Sequence, residues 1–284
     1  MPVDALAKTT PKSEHATELW FDVGVNLTSG QFSTDYDLQI ANAMNAGVTH
    51  LCITGTNERE SSLAADMAAT YPNLYSTAGV HPHDAKDVSG QYLSHLESLY
   101  LTNPKVKAIG ECGLDFNRNY SPQDVQFQIF AEQLELAARL KAPVFLHQRD
   151  AHSTFVDLLK AKRSDLTQVV VHCFTGTQNE LDDYLDLDCY IGITGWVCDE
   201  RRGLDVLALV DRIPDNRLLI ETDAPYLLPR NLKPKPKKGR NLPMYLPHIG
   251  QQLASQKNVS VSKLAEYTFQ NSLRFFNIKA QGNG

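Results

Sequence analysis

Five short motifs carry side chains suited to metal chemistry. They are GVHPHD with His81 and His83, GECGLDF with Glu111, FLHQRDA with His147 and Arg149, VVHCFTG with His172, and IETDAPY with Asp223. Imidazoles and carboxylates together bind a divalent cation and leave positions open for water and substrate. Such a cation acidifies bound water and offsets charge developing on an oxyanion, which is what hydrolysis at neutral pH requires. An arginine two residues after His147 adds a planar fork suited to phosphate. These residues are far apart in the chain, so only the fold can assemble them.

The elements that must do so are legible as alternation. Short β-branched runs recur as WFDVGV, VTHLCIT, LYSTAGV, VKAIGE, PVFLH, QVVVH, CYIGIT and RLLIET, eight in all. Most are separated by segments with helical spacing. The clearest is QDVQFQIFAEQLELAARLK, where Phe127, Phe130, Leu134, Ala137 and Ala138 fall at steps of three or four. Ser121 is expected as its N-cap, with Pro122 at the first helical position. Strands alternating with helices give a parallel sheet. Eight units in 284 residues, 42% of them hydrophobic, predict an α/β fold of the (β/α)8 TIM-barrel type rather than an open sheet. No GxGxxG or GxxxxGK[ST] follows any run. The barrel is expected to span 19–284 as one catalytic domain, preceded by a flexible extension over 1–18. His81, Glu111, His147, His172 and Asp223 then stand at the C-terminal ends of different strands, and in a parallel barrel those ends share one mouth. Cys112 and Cys173, each next to one of these residues, are expected to pack on the opposite strand face.

The charge balance is −6, so no global positive field draws the molecule to nucleic acid or anionic lipid. Any basic surface must be local. RNLKPKPKKGRN offers one, with Arg230, Lys233, Lys235, Lys237, Lys238 and Arg240 after the eighth run. Phe116, Tyr120, Phe174, Trp196 and Tyr226 lie just past strand ends, where they could stack on bases or pack in the core. Five cysteines without CxxC spacing suit a reduced, cytoplasmic chain. No apolar run reaches membrane-span length, and the opening segment lacks the h-region of a signal peptide.

GVHPHD, AIGECGLDF, PVFLHQRDA, VVHCFTG, YIGITGWVCDERRG and LLIETDAPYLLPR together resemble the TatD family of metal-dependent hydrolases over residues 20–278. The resemblance implies a TIM barrel of the metallo-dependent hydrolase type. It implies a magnesium-dependent 3′–5′ exonuclease acting on single-stranded DNA and RNA, linked to repair of oxidative damage. Carried over by position, Glu111, His147, His172 and Asp223 are implied metal ligands. Glu111 and Asp223 also serve catalysis, and His81 and Arg149 hold the scissile phosphate.

One stretch departs from the family. Relatives carry His-x-His on the first strand, whereas here it reads Asp22-x-Gly24-x-Asn26. A nitrogen-rich zinc-type second site is therefore not expected. Two hard carboxylates with water suit Mg2+, with Mn2+ or Zn2+ as the other choices. Asp22, Gly24 and Asn26 are expected to face into the barrel, with Asn26 at the substrate rim and Phe21, Val23 and Val25 packed outward. Gly24→His with Asn26→His is then expected to build a tighter second site. Two other readings fit a barrel with these residues: a metal-dependent deacylase such as an aminoacyl-tRNA deacylase, and a non-catalytic nucleic-acid-binding accessory protein. The chain is expected to be monomeric, with single-stranded nucleic acid as its partner.

Overall fold

The computed structural model describes residues 18–236 and 239–279. The extension expected at the N-terminus thus lies outside the described residues apart from Glu18, whose carboxylate accepts the Ser262 hydroxyl at 2.8 Å. Strands β1 (Trp20–Val25), β2 (Val48–Ile53), β3 (Leu74–Ala78), β4 (Val106–Asp115), β5 (Val144–Arg149), β6 (Val169–Val171), β7 (Tyr190–Ile193) and β8 (Leu218–Ile220) form one sheet in chain order. Every neighbouring pair is parallel. Helices α1 (Tyr36–Asn45), α2 (Glu58–Ala69), α3 (Tyr92–Thr102), α4 (Gln123–Leu140), α5 (His152–Lys162), α6 (Gln178–Asp186) and α7 (Leu204–Leu209) connect them, and α8 (Leu246–Gln256) and α9 (Val261–Phe275) follow β8. This is the nearly closed (β/α)8 barrel that the alternation predicts.

Two apolar cores follow from strand periodicity. Outward residues such as Leu51, Ile109, Val144, Val171 and Ile220 pack beneath the helices. Inward residues, among them Cys52, Tyr75, Ala108, Phe145, Val170, Tyr190 and Leu219, fill the barrel, and Phe275 and Phe276 at the end of α9 join them. Such a barrel is a packed core rather than a pore, leaving only the mouth for chemistry.

The first strand is not the simple alternation that was expected. Phe21 and Val23 belong to the inner core, and only Val25 joins the outer one. The cause is a register shift against β2 between Asp22 and Val25, which reverses the facing of the residues beyond it. Gly24 then faces inward and Asn26 reaches the mouth, as expected for those two. Asp22 lies at the seam with β8, where its Oδ1 accepts the Thr222 N–H at 2.9 Å and its Oδ2 takes the Thr222 hydroxyl. Backbone bonds from Asn26 N to Ala224 O (2.8 Å) and from Asp223 N to Gly24 O (2.9 Å) complete that closure.

The start of α4 also differs. Its N-cap is Pro122 rather than Ser121. Ser121 is fully buried and instead donates to the His83 carbonyl at 2.9 Å while accepting the Lys86 N–H at 3.1 Å. Phe127, placed on the buried stripe by spacing, is 41% exposed, and the buried face runs through Gln126, Ile129, Phe130 and Gln133.

Candidate metal centre at the barrel mouth

Glu111 owes its position to two glycines. A Cβ on Gly110 would lie 2.2 Å from the Phe145 carbonyl oxygen, and one on Gly113 would lie 1.9 Å from that of His147. Both have positive φ, +134° and +149°. Glycine alone permits this approach of β4 to β5. The β4–β5 register shifts between Gly110 and Cys112, which aims Glu111 at the barrel axis and sends Cys112 into the outer core. His147 lies within β5. His81, His172 and Asp223 stand one to three residues beyond β3, β6 and β8, on the turns that form the mouth.

Three imidazoles converge on one oxygen. Glu111 Oε1 lies 2.8 Å from His172 Nε2, 3.1 Å from His147 Nδ1 and 3.4 Å from His81 Nε2. Burial pushes the Glu111 carboxyl up, but the facing imidazoles outweigh it and hold the group well below the usual carboxylate range. Burial lowers His81 to about 3, so its ring is neutral, and its Nδ1 accepts the His83 N–H at 3.1 Å. Burial also opposes charge on His172 and His147. Glu111 and Glu221 nevertheless hold His172 well above its ordinary value, and Asp115 and Glu111 raise His147. Protons held this way are what a cation displaces on binding.

The residues fit a divalent ion. The ligand atoms of His81, Glu111 and His147 all lie within 4.8 Å of one another. His147 Nε2 is buried without a hydrogen-bond partner, 3.7 Å from Asp115 Oδ2. His83 does not join this group. Its Nε2 pairs with Asp115 at 2.7 Å, and Asp115 also accepts the N–H groups of Asn117 and Arg118 at 3.0 and 2.8 Å.

Two acids matter here that the motif reading did not single out, Asp115 and Glu221. Glu221 is fully buried, accepts the Cys173 N–H at 2.6 Å and lies 3.4 Å from His172 Nδ1. His172 is thus held between two carboxylates. Strand parity could have found Glu221, because it stands two residues before Asp223 in IETDAPY. The carboxylate also explains the departure on β1. A Cβ on Gly24 would lie 2.3 Å from Glu221 Oε2, and one on Gly192 would lie 2.7 Å from its Oε1. Gly24 is space for Glu221. A histidine at position 24 would have to displace this carboxylate before it could join a second site.

Asn26 turns its amide to Asp223 Oδ1 at 2.8 Å, so it holds the acid. Asp223 has positive φ, +52°. Burial raises its carboxyl to about 7, with Glu111 and Glu221 adding to the rise and His172 opposing it. His147, His172 and Asp223 line a cavity of about 1010 Å³, together with Arg118, Arg149, Phe174, Trp196, Arg202 and Tyr226. Arg149 has no ion-pair partner among the described residues and is exposed, as phosphate binding requires. Cys173, expected on the opposite face, lines this cavity instead because its backbone turns left-handed (φ +48°) just past β6.

The basic segment after β8 is partly neutralised. Arg240 pairs through both terminal nitrogens with Asp35 at 2.6 and 3.0 Å, and Arg230 lies 3.5 Å from Asp199. Lys233 and Lys235 are exposed, and Lys237 and Lys238 lie outside the described residues. Of the aromatics, Phe116 packs against the outer core and Phe174 is buried, whereas Tyr120 and Tyr226 are 55% and 53% exposed.

An eight-stranded parallel barrel with histidines and a central glutamate at its C-terminal mouth defines the class of metal-dependent hydrolases built on the TIM barrel. Comparison with known proteins narrows this. Residues 21–277 match the family described as TatD related DNase, and the chain belongs to that family. It is 52% identical over 262 residues to the 3′-5′ ssDNA/RNA exonuclease TatD of Klebsiella pneumoniae, covering 92% of this chain and 99% of that protein. The protein of the same name from Pectobacterium parmentieri is 51% identical over 260 residues, covering 91% and 99%. Among solved structures, the TatD homolog YjjV of Escherichia coli superposes with a TM-score of 0.83 at 27% identity, over 92% of this chain and 98% of its own.

Proposed function

We propose that this chain is a magnesium-dependent exonuclease that removes nucleotides from the 3′ end of single-stranded DNA and RNA. The observation that carries the reading is the convergence of three imidazoles on Glu111 Oε1, two of which, His147 and His172, line an arginine-bearing cavity. Kinship with relatives named for this activity supports it. Glu111, His147 and His172 would hold the cation, with His81 facing the same Glu111 oxygen and Asp223 lining the same cavity as His147 and His172. Bound there, a divalent cation neutralises charge on the phosphate and acidifies the water it holds. The two hard carboxylates Glu111 and Asp223 suit Mg2+, an ion that keeps water and substrate phosphate in its shell. Arg149 forks the scissile phosphate. Asp223, fixed by the Asn26 amide, receives the proton of the attacking water. Five free cysteines support a reducing, cytoplasmic setting, and among the described residues no helix is long and apolar enough to cross a membrane.

The test uses single-stranded DNA labelled at its 5′ end, incubated with Mg2+ or with EDTA, beside Glu111→Ala. Ladders that shorten from the 3′ end only with metal and only with Glu111 intact are expected. Digestion that persists in EDTA, or in Glu111→Ala, rules the reading out.

A further inference from the structure

The connection from β7 to α7 carries a feature that the metal centre does not use. The Thr194 hydroxyl accepts the Trp196 N–H at 3.2 Å. Asp199 N–H then donates to the Trp196 carbonyl at 3.0 Å, and Gly203 N–H returns to the Asp199 carbonyl at 2.8 Å. Residues 194–203 thus make a self-bonded shelf. On it the guanidinium of Arg202 lies over the Trp196 ring, 4.6 Å from its centre. Asp199, only 3% exposed, accepts from Arg202 Nε at 3.0 Å and from a terminal nitrogen at 2.9 Å. The carboxylate holds the guanidinium over the indole, while the Arg202 side chain remains 59% exposed. Both residues line the cavity that reaches His147, His172 and Asp223.

We infer that Arg202 and Trp196 form a two-layer stacking platform for a nucleobase of the single strand, next to the nucleotide whose phosphate reacts. This rests on the nuclease reading of the same cavity. The cavity, about 1010 Å³, is at the upper end of pockets that enclose one small ligand, ~300–1,000 Å³, and so has room for more than one nucleotide. Stacking uses the π-face that every base has, so it serves any sequence, and DNA as well as RNA. It also needs a base out of its duplex stack, which makes the platform a selector for single strands. Charge is not its means. Arg201, Arg202 and Arg230 around Asp199 are balanced in number by Asp199, Glu200 and Asp205, so the shelf holds no surplus to clamp a backbone. A planar cation stacked on an indole offers a flat face instead.

Fluorescence gives a readout independent of turnover. The chain has two tryptophans, and Trp20 is buried at 2% exposure, so a change on binding reports Trp196. The full-length protein in EDTA is titrated with a short mixed-sequence single strand and with the matching blunt duplex. Saturable quenching by the single strand alone is expected. In the Mg2+ assay, Trp196→Leu and Arg202→Ala each raise KM for that strand about 10-fold, the scale of one lost base stack. Trp196→Phe restores most of the loss, and in Trp196→Leu the salt dependence of KM keeps its slope. Absence of quenching at strand concentrations that saturate hydrolysis, equal quenching by duplex, or an unchanged KM in both Trp196→Leu and Arg202→Ala overturns the platform. Quenching without any cleavage would instead overturn the nuclease reading and leave the platform standing.

Discussion

Asp115 shows how much of this site is held from behind. It is 1% exposed, and its Oδ2 faces His83 at 2.7 Å and His147 at 3.7 Å. Its Oδ1 accepts two N–H groups of the loop that brings Arg118 to the cavity. Burial would raise the carboxyl, but these partners keep it low, so it stays charged close behind the His147 ring. Asp115→Asn keeps the shape but removes the charge. It is expected to raise the Mg2+ concentration for half-maximal activity roughly 10- to 100-fold, the usual cost of losing a partner behind a metal-binding histidine. Metal titrations of wild type and variant at saturating substrate check this, and an unchanged midpoint would show that His147 is oriented without Asp115.

At the scale of the element, the seam between β1 and β8 is closed by a side chain. Asp22 receives Thr222 through both its backbone N–H and its hydroxyl. Burial is the main cause that raises its carboxyl from the ordinary 3.8 to about 8. Unfolded, the group ionises near the lower value; folded, near the upper. Between them the native chain holds one proton more than the unfolded chain, so stability falls as pH rises through that window. The contribution is full below about pH 3.8 and gone above about pH 8. Asn at this position can accept the Thr222 N–H and donate to its hydroxyl without titrating. Asp22→Asn is therefore expected to gain stability relative to wild type as pH rises from 5 to 8.5, read from urea midpoints at each pH. Parallel profiles for the two proteins would mean that Asp22 is ionised in the fold.

For the molecule as a whole, the net charge of −6 leaves single-strand attraction to local cations at the mouth. Arg118 and Arg149 line the cavity, and neither has an ion-pair partner among the described residues. Arg240 instead joins the segment after β8 to Asp35 and lies 4.9 Å from the Phe32 ring centre. Arg149→Ala should reduce the slope of log affinity against log salt by about 0.7, the value for one phosphate contact on a single strand. Arg240→Ala should leave that slope alone and lower thermal stability through lost packing and pairing. Equal flattening by both substitutions would return Arg240 to the substrate surface.

The sequence by itself determined the barrel, because alternating β-branched runs and helical spacing admit few other parallel architectures. It also determined the roster at the mouth, since His81, Glu111, His147, His172 and Asp223 each end a different run. Position along a strand, however, does not give facing once register slips. The slip in β1 put Phe21 and Val23 inside, and the slip in β4 turned Glu111 to the axis. Tertiary structure alone decided that Ser121 serves the His83 turn and that Cys173 lines the cavity. It also decided that Asn26 holds Asp223 and that Gly24 makes room for Glu221. These are contacts between residues up to about two hundred positions apart, and local spacing carries no record of them. The Asp-x-Gly-x-Asn stretch of β1 is thus a seam staple, a space for a carboxylate and a support for an acid, each defined only by what β8 brings to it.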